Sequence, residues 1–105
     1  MDILDKINNH LNERKSKFDY EIYHKSYTSA VDTALRYAEV KGYTTDSDEV
    51  TTLVGFGPKK PSRGKTVQVH IPLYKNDKPQ RKALHITVYN RDVDGNTYEL
   101  TTYIL

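Results

Sequence analysis

Thr66-Val67-Gln68-Val69-His70-Ile71-Pro72-Leu73-Tyr74, Ala83-Leu84-His85-Ile86-Thr87-Val88-Tyr89 and Thr97-Tyr98-Glu99-Leu100-Thr101-Thr102-Tyr103-Ile104-Leu105 decide the fold of this chain. In the first two, every second residue is apolar: Val67, Val69, Ile71 and Leu73, then Leu84, Ile86 and Val88. A pleated strand has a side-chain period of two, so these residues share one face. The opposite face then carries Gln68, His70, His85, Thr87 and Tyr89. Three such segments separated by short turn sequences predict an antiparallel meander with one dry face and one polar face.

The register of the last hairpin follows from its turn. A two-residue turn at Asp94-Gly95 sets Val88 opposite Thr101 and puts Leu100 and Ile104 on the polar face. A three-residue loop, Val93-Asp94-Gly95, with Gly95 in the left-handed conformation of a bulge, pairs Val88 with Leu100, Ile86 with Thr102 and Leu84 with Ile104. The second register keeps the apolar residues together, because a slip of one residue turns a whole strand over. It also sets His85 opposite Tyr103 and Tyr89 opposite Glu99. The turn in residues 75–82 leaves open whether His70 faces His85.

Upstream, Leu4, Ile7, Leu11, Phe18 and Ile22 recur at helical spacing and predict a first helix from Asp2 to about Glu21. Thr28 or Ser29 is placed to cap a second helix whose stripe is Ala30, Val31, Ala34, Leu35, Ala38 and Val40, with Gly42 as its stop. Thr44 to Glu49 reads as a solvated connection. The alternation of Val50, Thr52, Val54 and Phe56 suggests a short edge strand. The expected fold is α+β: two N-terminal helices packed on one face of a four-stranded antiparallel sheet, in the order α-α-β-β-β-β. Residues 1–25 are read as an N-terminal helical segment and 26–105 as a single domain.

With 105 residues, 36% hydrophobic and 29% charged, the chain has material for one thin core. It contains no cysteine, which excludes disulfides and thiol chemistry. No stretch has the length of a membrane span and the start lacks a secretory pattern, so a non-secreted protein without a membrane partner is expected. The net charge of +2 is too small to imply a nucleic-acid ligand, but its distribution is uneven. Lys59, Lys60, Arg63 and Lys65 crowd one loop, and Lys75, Lys78, Arg81 and Lys82 a second. Asp46, Asp48 and Glu49 form an acidic stretch.

Motifs with chemical meaning fail on context. Gly57-Pro58-Lys59-Lys60-Pro61-Ser62-Arg63-Gly64-Lys65-Thr66 ends like a phosphate-binding loop, yet six residues separate its glycines instead of four. It also leads into a strand, whereas phosphate cradling needs a helix N-terminus. His85-Ile86-Thr87 has the His-x-Thr form of two-histidine phosphodiesterases, but its counterpart His70-Ile71-Pro72 lacks the hydroxyl and falls only fifteen residues away, whereas such motifs belong to separate halves of a larger domain. His70 and His85 begin a metal site without a third ligand beside them, Glu99 being a strand away. Asp92-Val93-Asp94-Gly95-Asn96 opens like a calcium loop without its ligand pattern and reads as a turn. No cofactor and no catalytic residue is expected.

Nine tyrosines against two phenylalanines and no tryptophan favour surfaces that are partly dry, whether at a core rim, a protein interface or a base-stacking platform. The polar face centred on His70, His85, Tyr89 and Tyr103 is therefore the predicted interaction surface, for a protein partner or a second copy of the chain. The alternative ligand is nucleic acid, contacted through basic loops 58–65 and 75–82.

Residues 36–104 resemble small uncharacterised proteins of tailed bacteriophages. The likeness lies in Arg36-Tyr37-Ala38-Glu39-Val40-Lys41-Gly42-Tyr43, the Gly57 to Thr66 loop, Leu73-Tyr74-Lys75-Asn76-Asp77-Lys78-Pro79-Gln80-Arg81-Lys82 and Tyr98-Glu99-Leu100. The resemblance carries no activity with it. It implies a phage accessory or virion-associated protein, located in the host cytoplasm or the virion.

Overall fold

The computed structural model describes residues 20–55 and 60–105. Strand β1 (Tyr23–His24) is followed by helix α1 (Tyr27–Val40), a short helix α2 (Ser47–Val50) that runs into a π-helical turn (Thr51–Gly55), and then strands β2 (Thr66–Lys75), β3 (Lys78–Asn90) and β4 (Tyr98–Ile104). The strands form one antiparallel sheet in the order β1-β4-β3-β2.

The meander has the predicted register. Val88 pairs with Leu100, Ile86 with Thr102, Leu84 with Ile104, His85 with Tyr103 and Tyr89 with Glu99. Gly95 has the expected left-handed φ of +84°, but the strands end at Asn90 and Tyr98, so the connection is longer than the expected three-residue loop Val93-Asp94-Gly95 and also places Asp92 at positive φ. The strands run further than the alternation indicates, because β2 and β3 meet in a two-residue turn at Asn76-Asp77, both at positive φ. Lys78, Arg81 and Lys82 are therefore strand residues, and the expected basic loop 75–82 is a two-stranded arm projecting beyond the end of β4.

Ile71, Leu73, Leu84, Ile86, Val88 and Leu100 are fully buried on the dry face, where Ala30, Ala34 and Ala38 of α1 meet them. Alanines on that stripe let the helix backbone approach the sheet closely. Each large aliphatic side chain so buried contributes about 1.5–3 kcal/mol. Tyr20, Tyr27, Tyr37 and Tyr43 pack around this core and Tyr98 lies within it, so several of the tyrosines complete a core poor in phenylalanine.

The helical part differs from expectation in three places. Helix α1 is capped by Ser26, whose Oγ accepts from the Ser29 N–H, a few residues earlier than Thr28 or Ser29. The Ser29 hydroxyl is instead engaged by His24 Nδ1 at 2.8 Å, while His24 Nε2 donates to the Glu21 carbonyl at 2.7 Å. This buried imidazole pins β1 to the start of α1.

The second difference is the predicted strand of Val50, Thr52, Val54 and Phe56, whose described part is helical. Asp46 caps α2 by accepting from the Glu49 N–H, and Asp48 and Glu49 lie in its first turn, where acidic groups oppose the helix dipole. Val50, Leu53 and Val54 also fit helical spacing, and all three pack against the core. The third difference is the order of elements. The fourth strand is Tyr23–His24, so the helices lie mid-chain, after the first strand, and do not precede the sheet. The helix expected from Asp2 to about Glu21 falls mostly outside the described residues; Tyr20 to Ile22 are not helical.

Candidate interaction face

The sheet has a second face with no helix of the described residues on it, and the strand register arranges its side chains in rows across the strands. One row is His70, His85 and Tyr103, on β2, β3 and β4. The His70 and His85 ring centroids are 4.3 Å apart and tilted by 58°. Those of His85 and Tyr103 are 4.7 Å apart and nearly parallel, at 6°. Rings that stack at the spacing between strands stand upright on the sheet. The flat faces of His85 and Tyr103 are turned on one another, and His70 is tilted against the other side of the row. His85 Nε2 lies 3.4 Å from the Leu105 carbonyl, a long contact that favours the tautomer with its proton on Nε2.

A second row is Thr66, Tyr89, Glu99 and Tyr23, running across the whole sheet from β2 to β1. Tyr89, Tyr23 and Tyr103 are exposed at 38%, 43% and 44%. The Arg91 guanidinium lies over the Tyr23 ring, 4.6 Å from its centroid, and donates to the Asn96 carbonyl. The two rows are four residues apart along β3, about 13 Å at the usual rise per residue. Between them Gln68, Thr87 and Thr101 form a third row of shorter side chains. The face is thus a shallow trough with a floor of hydroxyl and amide groups and walls of aromatic edges.

All four predicted face residues, His70, His85, Tyr89 and Tyr103, lie on this surface. Sequence reading missed Tyr23 and Arg91, because Tyr23 stood in the uncertain end of a predicted helix. A strand of two residues has no period by which the sequence could have marked Tyr23.

Of the basic residues, Lys60, Arg63 and Lys65 stand at the end of the sheet where β2 begins; Lys59 is outside the described residues. That loop is held in place. Asn90, buried, donates through Nδ2 to the Pro61 carbonyl, its backbone bonds Gly64 and Lys65, and its Oδ1 accepts from the Asp92 N–H. Arg63 pairs with Asp92 at 3.4 Å, with both side chains largely exposed. Gly64-Lys65-Thr66 enters a strand, so the loop does not lead into the helix N-terminus that a phosphate-binding loop needs. Lys75, Lys78, Arg81 and Lys82 are all exposed at the opposite end, on the β2–β3 arm. Lys75 sits over the Tyr43 ring at 4.5 Å. The two basic clusters are not brought together.

Beside the open edge of β2 is a cleft of about 530 Å³ lined by Asp48, Glu49, Thr52, Leu53, His70 and Pro72. The Tyr74 hydroxyl donates to Glu49 at the end of β2. That bond, followed by burial and the negative charges of Glu49 and Asp46, raises the Tyr74 pKa above the ordinary phenol value. Burial raises that of Tyr27, whose hydroxyl has no hydrogen-bond partner among the described residues. No group of three metal-ligating side chains occurs among the described residues, and no helix there is long and apolar enough to cross a membrane. No protein-family model, curated protein or solved structure matches this chain.

Proposed function

We propose that the protein is a non-enzymatic binding module that recognises a protein partner through the open sheet face, in the setting of a phage accessory or virion-associated protein. The observation that carries this reading is the upright stack of His70, His85 and Tyr103. Base-stacking platforms offer flat ring faces to the ligand. Here the faces of His85 and Tyr103 are engaged with each other and His70 is tilted against His85, so the row offers ring edges, imidazole nitrogens and a phenol hydroxyl, beside a floor of Thr and Gln. Such a surface suits the mixed apolar and hydrogen-bonding contacts of a protein interface, where tyrosine is a frequent anchor.

The test is retention of a partner from the native host on the immobilised chain. A partner held by the wild type, lost from His85→Ala/Tyr103→Ala and retained by Lys78→Glu/Arg81→Glu supports the reading. Equal retention by all three proteins overturns it. The basic arm favours a second reading, nucleic-acid binding. In that case affinity falls steeply with salt and is lost in Lys78→Glu/Arg81→Glu, while the face variant still binds.

A further inference from the structure

Strand β2 is an edge of the sheet. Asn90 donates its N–H to the Lys65 carbonyl, which fixes the phase of the ladder. Lys65, Val67, Val69 and Ile71 bond toward β3, and Thr66, Gln68 and His70 turn their backbone groups outward. Among the described residues, Thr44 alone pairs with that outer side, and it does so at Tyr74, at the far end. Natural edges are blunted by charges, proline or brevity. The run Thr66-Val67-Gln68-Val69-His70-Ile71 contains no charged residue, no proline and no glycine. Val67 on this edge is partly buried and packs against the core.

The charges beside the two ends of the outward-bonding run Thr66 to His70 differ, while the basic residues Lys75, Lys78, Arg81 and Lys82 of the arm lie farther along. Lys60, Arg63 and Lys65 stand where the run begins, and Asp48 and Glu49 line the cleft beside His70 and Pro72. A run with basic residues beside one end and acidic residues beside the other complements itself when it is turned antiparallel. We infer that the β2 edge pairs with the β2 edge of a second copy about a two-fold axis at Gln68, forming a continuous eight-stranded sheet. Thr66 then pairs with His70 of the second copy, and Gln68 with its own equivalent. Lys65 comes beside Ile71 of the second copy, at the mouth of the cleft lined by Asp48 and Glu49. Its position in the ladder alternation puts its side chain on the face where Val67 and Val69 lie, the one against which residues of α2 and the π-turn pack. The assembly uses the edge and leaves the trough open, so it goes beyond the face reading and stands or falls separately.

Light scattering on the full chain up to about 1 mM provides the test. The expected result is a concentration-dependent rise from 12.2 kDa toward twice that mass. Gln68→Pro removes two inter-copy hydrogen bonds by symmetry and weakens the dimer roughly thirtyfold. Pro72 already occupies a position of the same phase in this strand, so the fold tolerates the ring there; circular dichroism checks this. Because the chain has no cysteine, Gln68→Cys gives a disulfide-linked dimer on mild oxidation, and Thr87→Cys, inside the sheet, does not. Should Gln68→Pro fail to fold, charge exchange replaces it: Lys65→Glu weakens the dimer and Lys65→Glu/Asp48→Lys restores it. His85→Ala/Tyr103→Ala leaves the dimer intact. A strict monomer throughout the concentration range, or a dimer insensitive to both the Gln68 and the Lys65 variants, overturns the inference.

Discussion

Tyr74 shows how one side chain ties the acidic segment to the sheet. Its phenol donates to Glu49, the nearby carboxylates oppose its ionisation, and its pKa in the fold lies above the ordinary 10.0. A group whose pKa is raised on folding adds stability that is complete below the unfolded value and disappears as pH rises through the folded one. The contribution of Tyr74 is therefore expected to be constant through neutral pH and to vanish in alkali. Denaturant melts of wild type and Tyr74→Phe should differ at pH 7 and converge well above pH 10. In tyrosinate absorbance titrations, the component missing from Tyr74→Phe should be one of the alkaline-shifted ones, beside that of Tyr27, and Glu49→Gln should move it back. His24 and Asn90 act on the same scale: each is a buried polar residue with its hydrogen-bonding groups engaged, one joining β1 to α1 and the other joining loop 60–65 to the β3–β4 turn.

Among the elements, the two hairpins of the meander are governed by their turns. Asn76 and Asp77 both have positive φ, the signature of a two-residue turn whose preferred second residue is glycine. Asp77→Gly should relieve strain at that position and stabilise the protein by about 0.5–1 kcal/mol, read as a higher urea midpoint at unchanged slope. The meander was legible because several cues agreed: the period of two, the turn residues and the requirement that Leu100 and Ile104 face inward. Residues 47–55 were misread because Val50, Thr52 and Val54 satisfy the alternation of a strand while Val50, Leu53 and Val54 satisfy the spacing of a helix. Over so short a run the two periods coincide, and the Asp46 cap decides between them. Strand β1 was illegible for another reason. Two residues carry no periodicity, and Tyr23–His24 is a strand only because β4 lies beside it. The face residues were found because the meander positions them, and Tyr23 and Arg91 were missed along with β1.

For the whole molecule, one layer of helix against one sheet makes the central strand the point on which the core depends. Leu84, Ile86 and Val88 of β3 are fully buried, with β2 on one side and β4 on the other. Ile86→Ala should cost about 2–5 kcal/mol through lost contacts and a residual cavity. A domain of this size has about 5–15 kcal/mol in all, so the variant should melt far below the wild type in a thermal scan. The aromatic variants on the opposite face create no cavity in that core. A binding defect in His85→Ala/Tyr103→Ala at nearly unchanged melting temperature would separate recognition from stability.

Strand β1 also bears on how the chain acquires its fold. β2, β3 and β4 pair through neighbouring hairpins, whereas Tyr23 and His24 meet Glu99 and Tyr98 across almost the entire described length of chain. Closing a loop of that size costs entropy that local pairing does not. The meander can collect its contacts while the start of the chain is still free. Leu100 bonds to Ile22 and the His24 bracket holds β1 to α1, so loop-closure entropy predicts that the earliest described residues join last.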